Sequence, residues 1–141
     1  MDRFKLAKDL KADEGFMPNA YKDSLGYLTI GYGRLVDKQL GGGITEDEAS
    51  FLLENDIVRV ESSLDKEFPW WRRHPENVQR AMANMCFNLG IKKFKGFKNT
   101  LELIKNGSYN AAADNALQSL WARQVPNRAK KVTDLLREVS L

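Results

Sequence analysis

Only one part of this chain alternates as a strand does. It runs Tyr27-Leu28-Thr29-Ile30-Gly31-Tyr32-Gly33-Arg34-Leu35, after the turn-forming Asp23-Ser24-Leu25-Gly26 and before Gly41-Gly42-Gly43. Alternation places Tyr27, Thr29, Gly31 and Gly33 on one face and Leu28, Ile30, Tyr32 and Arg34 on the other, as in a small antiparallel hairpin or meander. The two glycines on the Thr29 face leave room for another group to approach the backbone there.

Helical patterns flank it on both sides. Before the β segment, Phe4 to Lys11 repeats apolar residues at spacings of three and four, one face of a short helix that Glu14 extends. Gly15 supplies a stop, and Pro18-Asn19 excludes helix from the next few residues. After the glycines, Thr45-Glu46-Asp47-Glu48 is a capping box that opens a long helix. Its stripe is Ala49, Leu53, Ile57, Val60 and Leu64, and it ends near Phe68-Pro69. Beyond Trp70-Trp71, Pro75 can open a helix through Val78, Met82, Met85 and Leu89 that Gly90 ends. Phe97 to Lys105 forms a second. Ser108 caps a third through Ala112, Ala116, Leu120 and Trp121, and Pro126 opens a fourth through Val132, Leu135, Leu136 and Val139. The fold class is therefore α+β, with a small antiparallel sheet joined by a long helix to a mostly helical C-terminal lobe. A chain of 141 residues makes one domain. Within it the β-containing lobe takes residues 14–44, the connecting helix 45–68 and the helical lobe 70–141. The triple glycine is too short to separate two domains and reads as a flexible loop inside one.

Composition narrows the partners. A hydrophobic fraction of 43% excludes low-complexity disorder. No stretch approaches the ~18 apolar residues of a membrane span, and the N-terminus has no apolar signal core, so no membrane anchor is expected and the chain should accumulate in the cytosol where it is made. Residues 1–91 carry 12 basic and 15 acidic side chains, net −3, whereas residues 92–141 carry 10 and 4, net +6. A cationic C-terminal third favours a polyanion, whether nucleic acid, an anionic membrane or an acidic wall polymer. A solvated basic face accounts for it equally well. The single cysteine, Cys86, lies in an apolar run and reads as a small buried hydrophobe.

Among the carboxylates, Glu14 and Asp23 stand out because both lie at element ends beside the Gly-rich segment. A carboxyl against apolar surface is harder to ionise, as a general acid requires, while one in a polar turn stays charged. Glu14 and Asp23 fit these two roles. Glycosidic hydrolysis needs such a pair, although an exposed helix-terminal Glu and a turn-forming Asp would look the same. Other chemistries have less support. His74 is the only histidine and lies in the basic Arg72-Arg73-His74-Pro75; with one Cys and one His no Cys- or His-rich zinc site can form, and no calcium loop is present. Gly31-Tyr32-Gly33 does not open a helix, so a dinucleotide site is unsupported.

The run from Glu14-Gly15 through Tyr21-Lys22-Asp23-Ser24 to Thr29-Ile30-Gly31-Tyr32-Gly33 resembles the signature of the phage-type lysozymes, the glycoside hydrolases of bacteriophage endolysins. Gly43 to Ala49, Asn84 to Gly90, Gly96 to Leu101 and Trp121 to Lys130 are similar to later parts of the same family, in order, with the pattern of the T-even phage lysozymes. The resemblance implies a lysozyme-like fold and hydrolysis of the β-1,4 bond between N-acetylmuramic acid and N-acetylglucosamine. It makes Glu14 the general acid, Asp23 the carboxylate that activates water and Thr29 the residue that holds that water. It implies inversion, which requires carboxyls about 6.5–9.5 Å apart rather than the roughly 5–5.5 Å of retaining enzymes. Arg128 would orient the acid, while Leu35, Phe87, Thr100 and Asn115 would contact the glycan. For Phe87 and Thr100 a core aromatic and an N-terminal cap remain alternatives.

No cofactor or metal is implied. The implied partners are peptidoglycan glycan strands and a holin that opens the membrane, with no nucleic acid; the protein is expected to be a monomer held in the host cytoplasm until released to the periplasmic wall. A non-catalytic module gripping peptidoglycan or nucleic acid through its basic surface is the rival reading. The chain departs from the family in a shorter segment from Val36 to Gly43, and in Arg34 where relatives often carry His. Arg34 is expected to pair with Asp56.

Overall fold

The computed structural model describes residues 1–36 and 41–138. The segment from Val36 to Gly43, expected to be shorter than in the family, lies outside the described residues in its central part, as does Val139 of the last helical stripe.

Helix α1, Arg3–Glu14, starts where the Asp2 carboxylate accepts from the Lys5 amide at 3.1 Å. It stops at Gly15, whose φ of 70° few other residues adopt and whose N–H returns to the Lys11 carbonyl at 3.0 Å. A three-stranded antiparallel sheet follows in the order β1 (Met17–Lys22), β2 (Leu28–Gly31) and β3 (Arg34–Leu35). The first strand lies before the Asp23–Gly26 turn, outside the alternating run from Tyr27 that the sequence marks, and it runs through Pro18. Two features make the proline acceptable. β1 is an edge strand, and its register breaks between Met17, paired with Gly31, and Tyr21, paired with Thr29.

The capping box forms as the sequence indicates: the Glu48 amide donates to Thr45 Oγ1 at 3.2 Å, and Glu48 Oε1 accepts from the Thr45 amide at 3.0 Å. Helix α2 spans Glu46–Glu67. Arg34 does not follow the expected pairing with Asp56. Its guanidinium grips Glu48, with Nη1 to Oε1 at 3.1 Å and Nη2 to Oε2 at 2.9 Å, and Nη1 also donates to the Gly43 carbonyl at 2.9 Å. Glu48 prevails because the box already fixes it at the start of α2, beside Gly43, while Asp56 pairs one turn along its own helix with Arg59.

Helical elements then follow without interruption: a single 3-10 turn (Trp71–Arg73), α3 (Glu76–Leu89), α4 (Ile91–Lys95), α5 (Lys98–Lys105), α6 (Tyr109–Leu117), α7 (Leu120–Gln124) and α8 (Pro126–Arg137). Two differences from the sequence reading are local. Residues 91–95 make a short helix of their own, and the third helix divides in two because Ser119 caps a new start, its Oγ accepting from the Ala122 amide at 3.2 Å.

Backbone contacts divide the chain into two compact units, with the division inside α2 between Phe51 and Leu52. The hydrophobic core belongs to the second unit. Leu64, Val78, Met82, Phe94, Ile104, Ala112, Val132 and Leu136 are all at most 3% exposed, and Cys86 lies among them as expected. At its edge Trp71 Nε1 donates to Asp65 at 2.6 Å, and Arg72 lies over the Trp71 ring while bridging Asp65 and Glu61. No helix among the described residues is long and apolar enough to cross a membrane.

Candidate active site

In the first unit the candidate residues lie around the sheet. Glu14 is the last residue of α1, and its exposed carboxyl rests against Gly33 in the turn between β2 and β3. A Cβ at position 33 would fall 2.7 Å from Glu14 Oε2, and the φ of that glycine is +75°. The room that the Gly-x-Gly spacing suggested is therefore occupied at Gly33 by the carboxyl itself. The same probe at Gly31 meets nothing within 4 Å.

Asp23 is half-buried in the β1–β2 turn. Its Oδ1 accepts from the Leu25 and Tyr27 amides at 2.9 and 2.8 Å, and its own amide and carbonyl bond to the Tyr27 carbonyl and the Gly26 amide. The turn-forming reading of this residue is thus correct, and it leaves Oδ2 without a partner among the described residues. One carboxylate oxygen thus orients the side chain, and the other keeps its acceptor capacity among the described residues. Thr29, 3% exposed, lies on β2 opposite Tyr21 on one side and Leu35 on the other, with its hydroxyl donating to the Tyr27 carbonyl at 3.0 Å. Leu35 is thus the immediate cross-strand neighbour of Thr29.

The second unit carries the remaining residues in two grooves. Arg128, near the start of α8, donates from Nε to Asn84 Oδ1 on α3 at 2.8 Å. Both residues line an apolar groove of about 400 Å³ with Phe87, Leu53, Ile57 and Val60. Phe87 is 42% exposed, so it is not a core aromatic. Thr100 and Asn115 lie in a separate groove of about 380 Å³, where the Thr100 hydroxyl donates to Asn115 Oδ1 at 2.6 Å. Thr100 does not cap its helix, since Phe97 occupies the cap position. Asn88, the neighbour of Phe87, accepts from Trp121 Nε1 at 2.8 Å and ties α3 to α7.

Asn84 had no role from its residue type alone; its signal was the three-residue interval to Phe87, which sets both on one face of α3. Among the described residues no cluster of three or more His, Cys, Asp or Glu side chains could hold a metal ion. His74 meets the Tyr109 hydroxyl through Nδ1 at 2.7 Å and packs edge-on against Trp70, and burial pushes its pKa down. It belongs to an aromatic cluster of the helical unit rather than to either groove.

The chain matches the family model of the phage lysozymes over residues 11–138. It is 30% identical to the pre-baseplate central spike protein Gp5 of Enterobacteria phage T4 over 93% of its own length, but it spans only 27% of that protein. It is 28% identical to the probable T4-type lysozyme 1 of Dictyostelium discoideum, covering 94% of this chain and 93% of the relative. An endolysin of Salmonella phage P22 is 33% identical over 81% of this chain and 78% of its own length.

Proposed function

The chain belongs to the phage lysozyme family, whose members are glycoside hydrolases, and from that premise we propose that it is a muramidase cleaving the β-1,4 bond between N-acetylmuramic acid and N-acetylglucosamine of peptidoglycan. The observation that supports this reading is how the first unit holds each of two carboxyls. Glu14 lies against the bare backbone of Gly33, and Asp23 is anchored through one oxygen, with the other unpartnered among the described residues.

In the proposed reaction Glu14, protonated, gives its proton to the glycosidic oxygen as the bond to the anomeric carbon breaks. A water on the opposite face of the sugar attacks that carbon and passes its proton to Asp23 Oδ2. Thr29 helps to hold this water, and the product is inverted. Transfer of a proton from Asp23 back to Glu14 through solvent completes the cycle. Arg128 orients the acid. Leu35 and Phe87 offer apolar surface to the sugar rings, and Thr100 and Asn115 offer hydroxyl and amide groups to its hydroxyl and N-acetyl substituents. The reaction needs no cofactor. The biological setting we propose is host lysis during phage release: a monomer waits in the cytoplasm until a holin opens the membrane and gives access to the periplasmic wall.

Digestion of purified peptidoglycan, followed by borohydride reduction and mass analysis of the fragments, tests the bond assignment. Fragments ending in reduced N-acetylmuramic acid are expected. Fragments ending in reduced N-acetylglucosamine would assign the other bond. Binding without any new reducing ends would favour a non-catalytic wall-binding module.

A further inference from the structure

The groove that holds Thr100 and Asn115 has a cationic rim that none of the proposed catalytic steps uses. Lys93 from α4 and Lys98 from α5 line it together with Phe97 and Ser119. Both lysines are exposed, and neither makes an ion pair among the described residues, whereas Lys95 between them is held by Glu67 at 3.0 Å. No acidic residue occurs in sequence between Glu76 and Glu102, a stretch that contains four lysines. Lys98 is also the first residue of α5, which has no side-chain cap and no acidic residue in its first turn. A cation there is opposed by the helix dipole, a cost that an anion in the groove would offset.

The groove is built as well as charged. Thr100, 2% exposed, fixes Asn115 through Oδ1 and thereby leaves the two amide N–H donors of Asn115 free among the described residues. The Phe97 ring is set edge-on against Trp121 at 6.3 Å between centroids.

We propose that Lys93 and Lys98 form a subsite for the carboxylates of the peptide stems on peptidoglycan, so that the enzyme prefers glycan bearing free-carboxylate stems. This inference rests on the muramidase reading. An N-acetylated glycan strand carries no charge of its own, because the lactyl carboxyl of each muramic acid is bound in an amide to its stem. The anions of the substrate are therefore the stem carboxylates. A saccharide on Thr100 and Asn115 would bring its stem to the groove rim, where two ammonium groups make no ion pair among the described residues.

The test compares initial rates of reducing-end release from intact sacculi and from the same sacculi with free carboxylates converted to primary amides, at low ionic strength. The wild type is expected to cleave the free-carboxylate form faster by about three- to tenfold, the scale of two exposed ion pairs. The double variant Lys93→Gln/Lys98→Gln is expected to lose that preference, its two rates becoming nearly equal, while Lys93→Arg/Lys98→Arg keeps it. Equal preference in the wild type and the Gln variant would overturn the subsite. Failure of the wild type to release reducing ends from either substrate would instead overturn the muramidase reading, and the subsite with it.

Discussion

Gly33 shows how one residue can serve backbone and chemistry together. Its positive φ lies in the left-handed region, and its missing side chain is what lets the Glu14 carboxyl lie against the turn. The substitution Gly33→Ala should cost about 1–2 kcal/mol of stability through the backbone alone. The clashing atom is the end of a flexible side chain, so the fold should survive while the carboxyl moves. Activity should therefore fall by more than the stability loss explains, on the order of tenfold or greater. Steady-state kinetics beside circular dichroism and thermal melting would check this; a well-folded variant with wild-type kcat would show that the Glu14–Gly33 contact does not matter to turnover. The spacing of glycines and carboxylates in the sequence indicated that something approaches this strand. It could not indicate which group does, because that depends on where the end of α1 falls relative to the β2–β3 turn. The same dependence on placement explains why Arg34 was assigned to Asp56: opposite charge is visible in a sequence, but the prior fixing of Glu48 by its own capping box decides the pairing.

At the scale of elements, the long helices were legible because their apolar stripes and caps agree, as in α2 and α3. The short ones were not. A five-residue helix such as α4 or α7 has too few turns to show a period, and only its boundaries mark it. The break between α6 and α7 depends on Ser119, whose hydroxyl accepts from Ala122 and also donates to the Ala116 carbonyl at 2.6 Å. Ser119→Ala should destabilise the protein by about 1 kcal/mol, read as a lower midpoint in urea unfolding. An unchanged midpoint would mean that packing of Trp121 and Ala122 alone sets the break. Leu64, fully buried near the end of α2, marks the heavier contribution of the core, and Leu64→Ala should cost about 2–5 kcal/mol. A loss below about 1 kcal/mol would contradict its placement in the core of the second unit.

At the scale of the whole molecule, the two units differ in what acid does to them. In the first, the Arg34 guanidinium, followed by the Thr45 amide, holds the Glu48 carboxyl down to about 2. In the second, hydrogen bonds from Arg72 and then Trp71 hold Asp65 below the usual carboxylate range, and burial pushes His74 below its ordinary value. All three pKa values are lower in the folded protein. Each contribution therefore stands in full above the unfolded pKa and is lost as the pH falls through the window beneath it. Thermal stability should begin to fall below about pH 6.5 as His74 becomes protonatable in the unfolded chain, and fall again below about pH 4 as the carboxylates do. Melting temperatures from pH 7 to pH 3 check this, with His74→Gln expected to remove the first decline and leave the second. A first decline that persists in that variant would assign it to other groups.

The central claim is that Glu14 is the acid of a glycosidase. It is tested most directly by measuring reducing-end release from purified peptidoglycan by the wild type and by Glu14→Gln, matched for folding by circular dichroism. The account predicts release by the wild type and a loss of at least about a hundredfold in the variant, the scale of general-acid catalysis. Release at the wild-type rate by a folded Glu14→Gln would contradict it.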